Sequence, residues 1–249
     1  MKQLIIKHLY LFIFAGCCLL ACKNDTPPAA NAAGSLRGQK PSTRFEQEIL
    51  DFEAADKKQF PPKNAILFTG SSSIRMWKTL EKDMAPLPVI NRGFGGSTIP
   101  EVIQYADRII FPYEPQIIVL YCGENDIHEK TLPEIVVQNF KRFVQIVHEK
   151  LPETQIVYLS MKPSPARWDE WNKFEVGNLM IQKFAQAHDK VHFLNITRPM
   201  LIKGNGPDPH IFLDDSLHMN QHGYVRWTAL LKPYLQKLYR PTTQNTDLQ

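Results

Sequence analysis

Five short apolar runs punctuate this chain: Ala65–Phe68, Val89-Ile90, Gln116–Tyr121, Gln155–Leu159 and Val191–Leu194, each pair far enough apart to hold a helix. Strands that alternate with helices of ten to twenty residues are joined by crossovers, and a crossover leaves its two strands parallel. The pattern predicts an α/β protein with a five-stranded parallel sheet, covered on both faces in a three-layer α/β/α sandwich. The intervening segments have the period a helix needs. Phe45, Ile49 and Phe52 fall at i, i+4 and i+7. Ile135, Phe140, Phe143, Val144 and Val147 mark a helix over 131–150, and Thr131-Leu132-Pro133-Glu134 reads as its capping box. Tyr224, Trp227, Leu231, Tyr234 and Leu238 mark the last helix, over 221–239, which Pro233 is expected to kink.

The two ends read differently from the domain. Lys2 and Lys7 precede an apolar stretch, Leu9–Leu20, too short to span a bilayer comfortably, and it ends in Leu19-Leu20-Ala21-Cys22. An aliphatic residue, small residues and a cysteine at the end of such a stretch form a bacterial lipobox, with Cys22 as the acylated residue. Phe14-Ala15-Gly16-Cys17 is a weaker match, and an ordinary signal peptide or anchor with an incidental cysteine is the alternative. Residues 1–21 are thus expected to be a lipoprotein signal peptide and 22–42, rich in Ala, Pro and Gly, a flexible tether. The domain occupies 43–240, and 241–249 form a disordered C-terminal tail. This organisation places the protein at a bacterial cell envelope, lipid-anchored and facing the periplasm or the cell surface. Loss of the signal would leave Cys122 as the one thiol of the domain, so no intrachain disulfide is available and a large core must supply stability. It would also remove Lys2 and Lys7 and so lower the formal net charge from +4 to about +2, a balance too mild for a nucleic-acid partner. The expected partner is a small molecule, and no motif for a metal or a nucleotide cofactor is present.

Chemistry concentrates where predicted strands end. Gly70-Ser71-Ser72-Ser73, Gly93–Ser97 and Gly123–Asp126 each follow an apolar run, and in a parallel sheet ligands bind at the carboxyl edge. A serine at a strand-to-helix junction becomes a nucleophile only if a base takes its proton and donors hold the developing oxyanion. Taken alone, the serines are a helix cap. Gly-x-Ser-x-Gly, the elbow of α/β-hydrolases, is absent, because Ile74 stands at its last position. Gly95-Gly96 permits either a tight turn or the close approach of a substrate to a backbone amide. Asn125 is either a turn former or an amide donor. Asp215-Ser216-Leu217-His218 sets a carboxylate three residues before an imidazole, a spacing that can fix the ring's tautomer. Metal ligation by His218 and His222, with His210, is a weaker reading, since no cysteine or matching carboxylate completes the set.

Taken together, these blocks resemble the SGNH hydrolase superfamily, the GDSL-type lipases and esterases, over essentially residues 43–240. Ile66–Trp77 and Asn91–Ser97 are similar to a bacterial branch related to platelet-activating-factor acetylhydrolase-like and lysophospholipase-like esterases. Tyr121-Cys122-Gly123-Glu124-Asn125-Asp126 and Asp215–His218 complete the likeness. The resemblance implies a flavodoxin-like sheet, no cofactor and a serine esterase mechanism. It assigns Ser72 as nucleophile, His218 as base and Asp215 as its orienting acid. The oxyanion hole is then the Ser72 and Gly96 N–H groups with the Asn125 side-chain amide. Ser71 stands where the usual motif has Asp, so hydrogen bonding around the nucleophile must differ from the family's.

The implied substrate is a small ester, either an acetylated carbohydrate or a lysophospholipid-like molecule. The contrasting reading is a cell-envelope lipoprotein that uses the fold as a non-catalytic binding module. Trp168 and Trp171 could form a sugar platform or simply cover the domain edge. Lys162 and Arg167 could meet an anionic headgroup or be solvated surface charges.

Overall fold

The computed structural model describes residues 43–204 and 206–241. The expected signal peptide, Cys22, the tether and the tail beyond 241 lie outside the described residues. The chain runs through α1 (Glu46–Lys58), β1 (Ile66–Gly70), a single helical turn α2 (Ser72–Arg75), α3 (Leu80–Met84) and β2 (Val89–Gly93). It continues with α4 (Ile99–Ile109), β3 (Ile117–Tyr121), α5 (Glu124–His128), α6 (Pro133–Lys150), β4 (Gln155–Leu159), α7 (Trp171–Gln186) and β5 (Val191–Leu194). A long connection follows, carrying a small antiparallel ribbon of β6 (Leu201–Ile202) and β7 (Gly206–Pro207), and α8 (Gln221–Leu238) ends the domain.

The main sheet has five strands in the order β2-β1-β3-β4-β5, and every neighbouring pair is parallel. Because successive side chains of a strand point to opposite faces, the sheet feeds two cores. Leu67, Ile118, Leu120, Ile156 and Tyr158 pack beneath α1, α4, α6 and α7. Ile66, Phe68, Val119, Tyr121 and Val157 pack on the other face against α3, α8 and the 196–219 connection. This is the expected three-layer sandwich. All five expected strands are present, and the first two run further than their apolar residues. β1 continues through Thr69 and Gly70, paired with Arg92 and Gly93 of β2. β2 tolerates Asn91 and Arg92 because it is an edge strand, with sheet on one side only.

One local expectation changes. Thr131 does not cap α6: Pro133 is the first helical residue, so Leu132 becomes the N-cap and Glu134 falls one place short of the capping position. The reciprocal arrangement occurs instead at α4, where Glu101 accepts from Thr98 N (2.9 Å) and Thr98 Oγ1 (3.0 Å). α8 runs as one helix through Pro233, packed against the sheet by Trp227, Leu231 and Leu235.

Candidate active site

The order of the sheet reverses direction between β1 and β3, and the crevice at such a reversal is where ligands bind in open parallel sheets. Gly70 makes the crevice accessible to a side chain. Its φ is +111°, and a Cβ there would stand 2.1 Å from the Tyr121 carbonyl oxygen, so only glycine lets β1 end against β3. The next amide, Ser71 N, donates to that same oxygen (2.8 Å). Ser72 follows as the first residue of α2. The cluster is therefore at a helix N-terminus, as its sequence suggests, but Ser71 makes no side-chain cap. Its buried hydroxyl accepts from Asn125 Nδ2 at 2.7 Å instead.

Ser72 Oγ and His218 Nε2 are 2.8 Å apart, and His218 Nδ1 and Asp215 Oδ2 are 2.6 Å apart. The loop holding these two residues is fixed by its own backbone: Leu213 N donates to His218 O, and Ser216 N to Leu213 O, both at 2.8 Å. Ser216 takes a left-handed conformation, with φ +56°, to close the turn. Asp215 Oδ1 accepts from the backbone amides of Leu217 (2.9 Å) and His218 (2.8 Å), which leaves Oδ2 for the ring. Partial burial pushes the Asp215 carboxyl up, but the ring and the two amides outweigh it and hold the group down at about 2.

Gly96 sits beside this line in a left-handed turn, with φ +70°. Among the described residues neither its N–H nor that of Ser72 has an acceptor, so two donors stand free next to the serine hydroxyl. Asn125, on α5, is less free. Its amide nitrogen donates to Ser97 O (3.1 Å) as well as to Ser71 Oγ. The structure thus brings together Ser72, Gly96, Asn125, Asp215 and His218, five residues that the sequence motifs single out.

A depression of about 390 Å³ opens over these groups. Leu217 is the one aliphatic side chain among those lining it; the rest of the wall is polar or glycine, with Arg44, Arg75 and Arg167 at its margin. A larger groove of about 780 Å³ runs along β2 and shares Glu48 and Arg75 with it, but does not contain Ser72. The arginines are held by acids. Arg75 pairs with Glu48 (3.8 Å), Arg44 with Glu129 (3.5 Å) and Arg167 with Glu124 (3.0 Å). Glu48 also accepts from Gly95 N (3.2 Å), which ties α1 to the glycine turn.

Lys162 is no surface charge. It is 1% exposed, and its Nζ donates to both oxygens of Glu124 (2.9 and 3.2 Å). Tyr121 Oη donates to the same carboxylate. Burial alone would raise the Glu124 carboxyl, but Lys162 and Arg167 more than offset it and keep the group below its usual range. Glu124 and Lys162 carry one signal in the sequence, a charged residue just beyond an apolar strand, although its pairing depends on topology. Glu48 and Arg44, on or beside the polar face of α1, carry none. Trp168 and Trp171 stack on one another, with centroids 5.6 Å apart, and Gly206 of β7 packs against Trp168. Neither ring borders the depression, so they cover the domain edge. Cys122 is buried, and desolvation pushes its thiol well up, away from nucleophilic use. Among the described residues no group of three or more His, Cys, Asp or Glu is arranged to hold a metal ion.

The profile of the GDSL-like Lipase/Acylhydrolase family matches residues 65–226. Platelet-activating factor acetylhydrolase IB subunit alpha1 of Bos taurus is 27% identical over 195 residues, which cover 74% of this chain and 79% of that protein. Among solved structures, a GDSL-like lipase from Bacteroides thetaiotaomicron superposes with a TM-score of 0.66 at 21% identity, covering 76% of this chain and 97% of the other. A family 3 carbohydrate esterase from Clostridium thermocellum gives 0.57 at 17% identity, covering 72% and 98%. The structural likenesses show the fold, whereas the profile match extends from β1 past the His218 loop. On that extent of match, the chain belongs to the GDSL-like lipase/acylhydrolase family of SGNH hydrolases, enzymes that act on ester bonds.

Proposed function

We propose that the chain is a serine esterase that removes short acyl groups, with Ser72 as nucleophile, His218 as base and Asp215 as the acid that orients it. The observation that carries this reading is the unbroken line from Ser72 Oγ through the His218 ring to Asp215 Oδ2, with steps of 2.8 and 2.6 Å. Ser72 Oγ adds to the ester carbonyl as its proton passes to His218 Nε2, and the C–O bond to the alcohol breaks as that proton is returned to the leaving oxygen. Water then repeats the sequence on the acyl-serine, releasing the carboxylic acid. The Ser72 and Gly96 N–H groups receive the oxyanion, with Asn125 as third donor. Ser97 O anchors the Asn125 amide, and the bond to Ser71 Oγ is the one surrendered when the oxyanion forms.

Short acyl groups on a polar carrier suit a wall with a single aliphatic side chain, because a long chain would find little apolar surface to bury. This supports an acetylated carbohydrate ahead of a lysophospholipid-like ester. The name of one compared protein, an acetylhydrolase, agrees with a short acyl group, and that of another, a carbohydrate esterase, with a carbohydrate carrier. A fluorophosphonate probe should label Ser72 in the wild-type protein, and Ser72→Ala should lose both labelling and hydrolysis of aryl acetates with its melting temperature unchanged. Full turnover by Ser72→Ala would rule out the nucleophile. A wild-type protein that neither labels nor hydrolyses any ester would be a binding module.

The enzyme is further proposed to be a lipoprotein anchored through Cys22 at a bacterial envelope, facing the periplasm or the cell surface. The lipobox Leu19-Leu20-Ala21-Cys22 supports this. The full chain expressed in bacteria should partition into detergent, and Cys22→Ser should move to the aqueous phase. Equal partitioning of the two would remove the anchor.

A further inference from the structure

Arg167 lines the depression beside Ser72. It lies in the short 3-10 segment Pro165–Glu170, and the backbone next to it is fastened to the catalytic loop through Ala166 N to Ser216 O (3.1 Å). Its side chain is 10% exposed. One hydrogen bond, from Nη1 to Glu124 Oε1 (3.0 Å), is the only one its guanidinium makes among the described residues. A guanidinium has five N–H donors in a planar fork suited to carboxylate or phosphate oxygens, so most of that fork is unused.

The local charge has the same sense. The other two arginines on the wall each have an acid of their own, Glu48 for Arg75 and Glu129 for Arg44. Glu124 is shared, since the buried Lys162 already donates to both of its oxygens. Two cations therefore hold one carboxylate, and the surplus reaches the depression through Arg167. Asp215 is committed to the His218 ring and to two backbone amides, and Glu170 to His128 and Lys130. A nearly buried cation with open donors and no anion of its own is costly unless a ligand completes it.

We infer that the ester this site is built for carries an anionic oxygen group, a carboxylate or a phosphate, which Arg167 binds beside the scissile bond. The inference rests on the esterase reading of Ser72 and names the class of carrier. Glu124 and Lys162 act through Arg167: they fix one edge of its fork and leave the other facing the substrate.

The test compares matched pairs of esters on the full chain: 4-acetoxybenzoate against its methyl ester, and 1-acetylglycerol 3-phosphate against 1-acetylglycerol. The wild type should favour the charged member of at least one pair by about tenfold in kcat/KM, the scale of a charge-assisted contact. The pair that shows the preference identifies a carboxylate or a phosphate source. Arg167→Gln should abolish the preference, and Arg167→Lys should retain part of it. A merely structural role would lower both members equally and leave the ratio unchanged, which would overturn the assignment. So would a wild-type ratio near one in both pairs. If Arg167→Gln does not fold, competition decides on the wild type. Benzoate or inorganic phosphate should inhibit hydrolysis of a neutral acetate where benzyl alcohol does not, and no difference between them overturns the inference. Hydrolysis of neutral esters without any anion preference would sink this inference alone. Absence of all hydrolysis and of Ser72 labelling would sink the esterase reading, and this one with it.

Discussion

One amide nitrogen, Asn125 Nδ2, serves Ser97 O and Ser71 Oγ at once, and in doing so links the glycine turn to the serine turn. A carboxylate at position 71, as in the family's usual motif, would bring a negative charge to within hydrogen-bond distance of that amide. A hydroxyl is a weaker, neutral acceptor and competes less with an oxyanion for the same proton. Removing the amide should therefore be felt in the chemical step. Asn125→Ala is expected to lower kcat by about 100- to 1000-fold, near 3 kcal/mol, with a far smaller change in KM. Steady-state kinetics on an aryl acetate would check this, and an equal fall in the melting temperature of the variant would reassign Asn125 to structure. Ser72, Gly96, Asn125 and the Asp215–His218 pair were legible because each stands in a short motif whose local geometry implies a use. Lys162 was not. A lysine in an irregular segment reads as solvated, and only the approach of α5 to the end of β4 turns it into the buried partner of Glu124.

Between elements, the clearest load falls on Asp126. This residue of α5 presents its carboxylate to the first amide of α4, Ile99 N, at 3.1 and 3.3 Å. Burial pushes its pKa up to about 7, against the opposing pull of that amide. The folded protein then keeps a proton that the unfolded chain loses near pH 4, so this group's contribution to stability declines as pH rises from about 4 to 7. Three pH units correspond to about 4 kcal/mol at most. Asp126→Asn keeps an acceptor for Ile99 N and has no charge to bury. Its stability relative to wild type should therefore rise across that window, as read by urea unfolding at pH 4.5 and 7.5; a constant difference would refute the assignment. Strands were more legible than caps. Five apolar runs gave five strands, because the central strands β1 and β3 are buried throughout and the two edge strands keep an apolar stretch against the core. Thr131 failed as a cap since one proline moved the start of α6 by a residue, a shift that no pattern of apolar spacing records.

On the scale of the whole molecule, the parallel sheet and both layers followed from the alternation of strand and helix, whereas the strand order came only with the structure and the 195–220 connection had no periodicity to read. That connection carries His218, the proposed base. It lies outside the ladders of the main sheet and is held mostly by single contacts: Arg226 donates to Asp208 and to Pro199 O, Asn220 Nδ2 to His210 O and Phe212 O, Ile196 N to Ser160 Oγ and Ala166 N to Ser216 O, with Ile196, Met200, Ile211, Phe212 and Met219 in the core beneath α8. Low local stability of this kind opens before the core does. Loss of esterase activity in urea should accordingly have a lower midpoint than loss of far-ultraviolet circular dichroism. Coincident midpoints would mean that the connection and the sheet melt as one.

The hydrogen bond between Ser72 and His218 spans 146 positions of the chain. Synthesis runs from the amino end, and domains mature as their segments emerge. On the proposed mechanism the nucleophile is thus made long before anything can take its proton, and the growing polypeptide passes most of its assembly as an alcohol among other alcohols. Chemistry would then switch on at the end, when nearly the whole domain has been made, and a chain cut short before its closing loop should hydrolyse no ester.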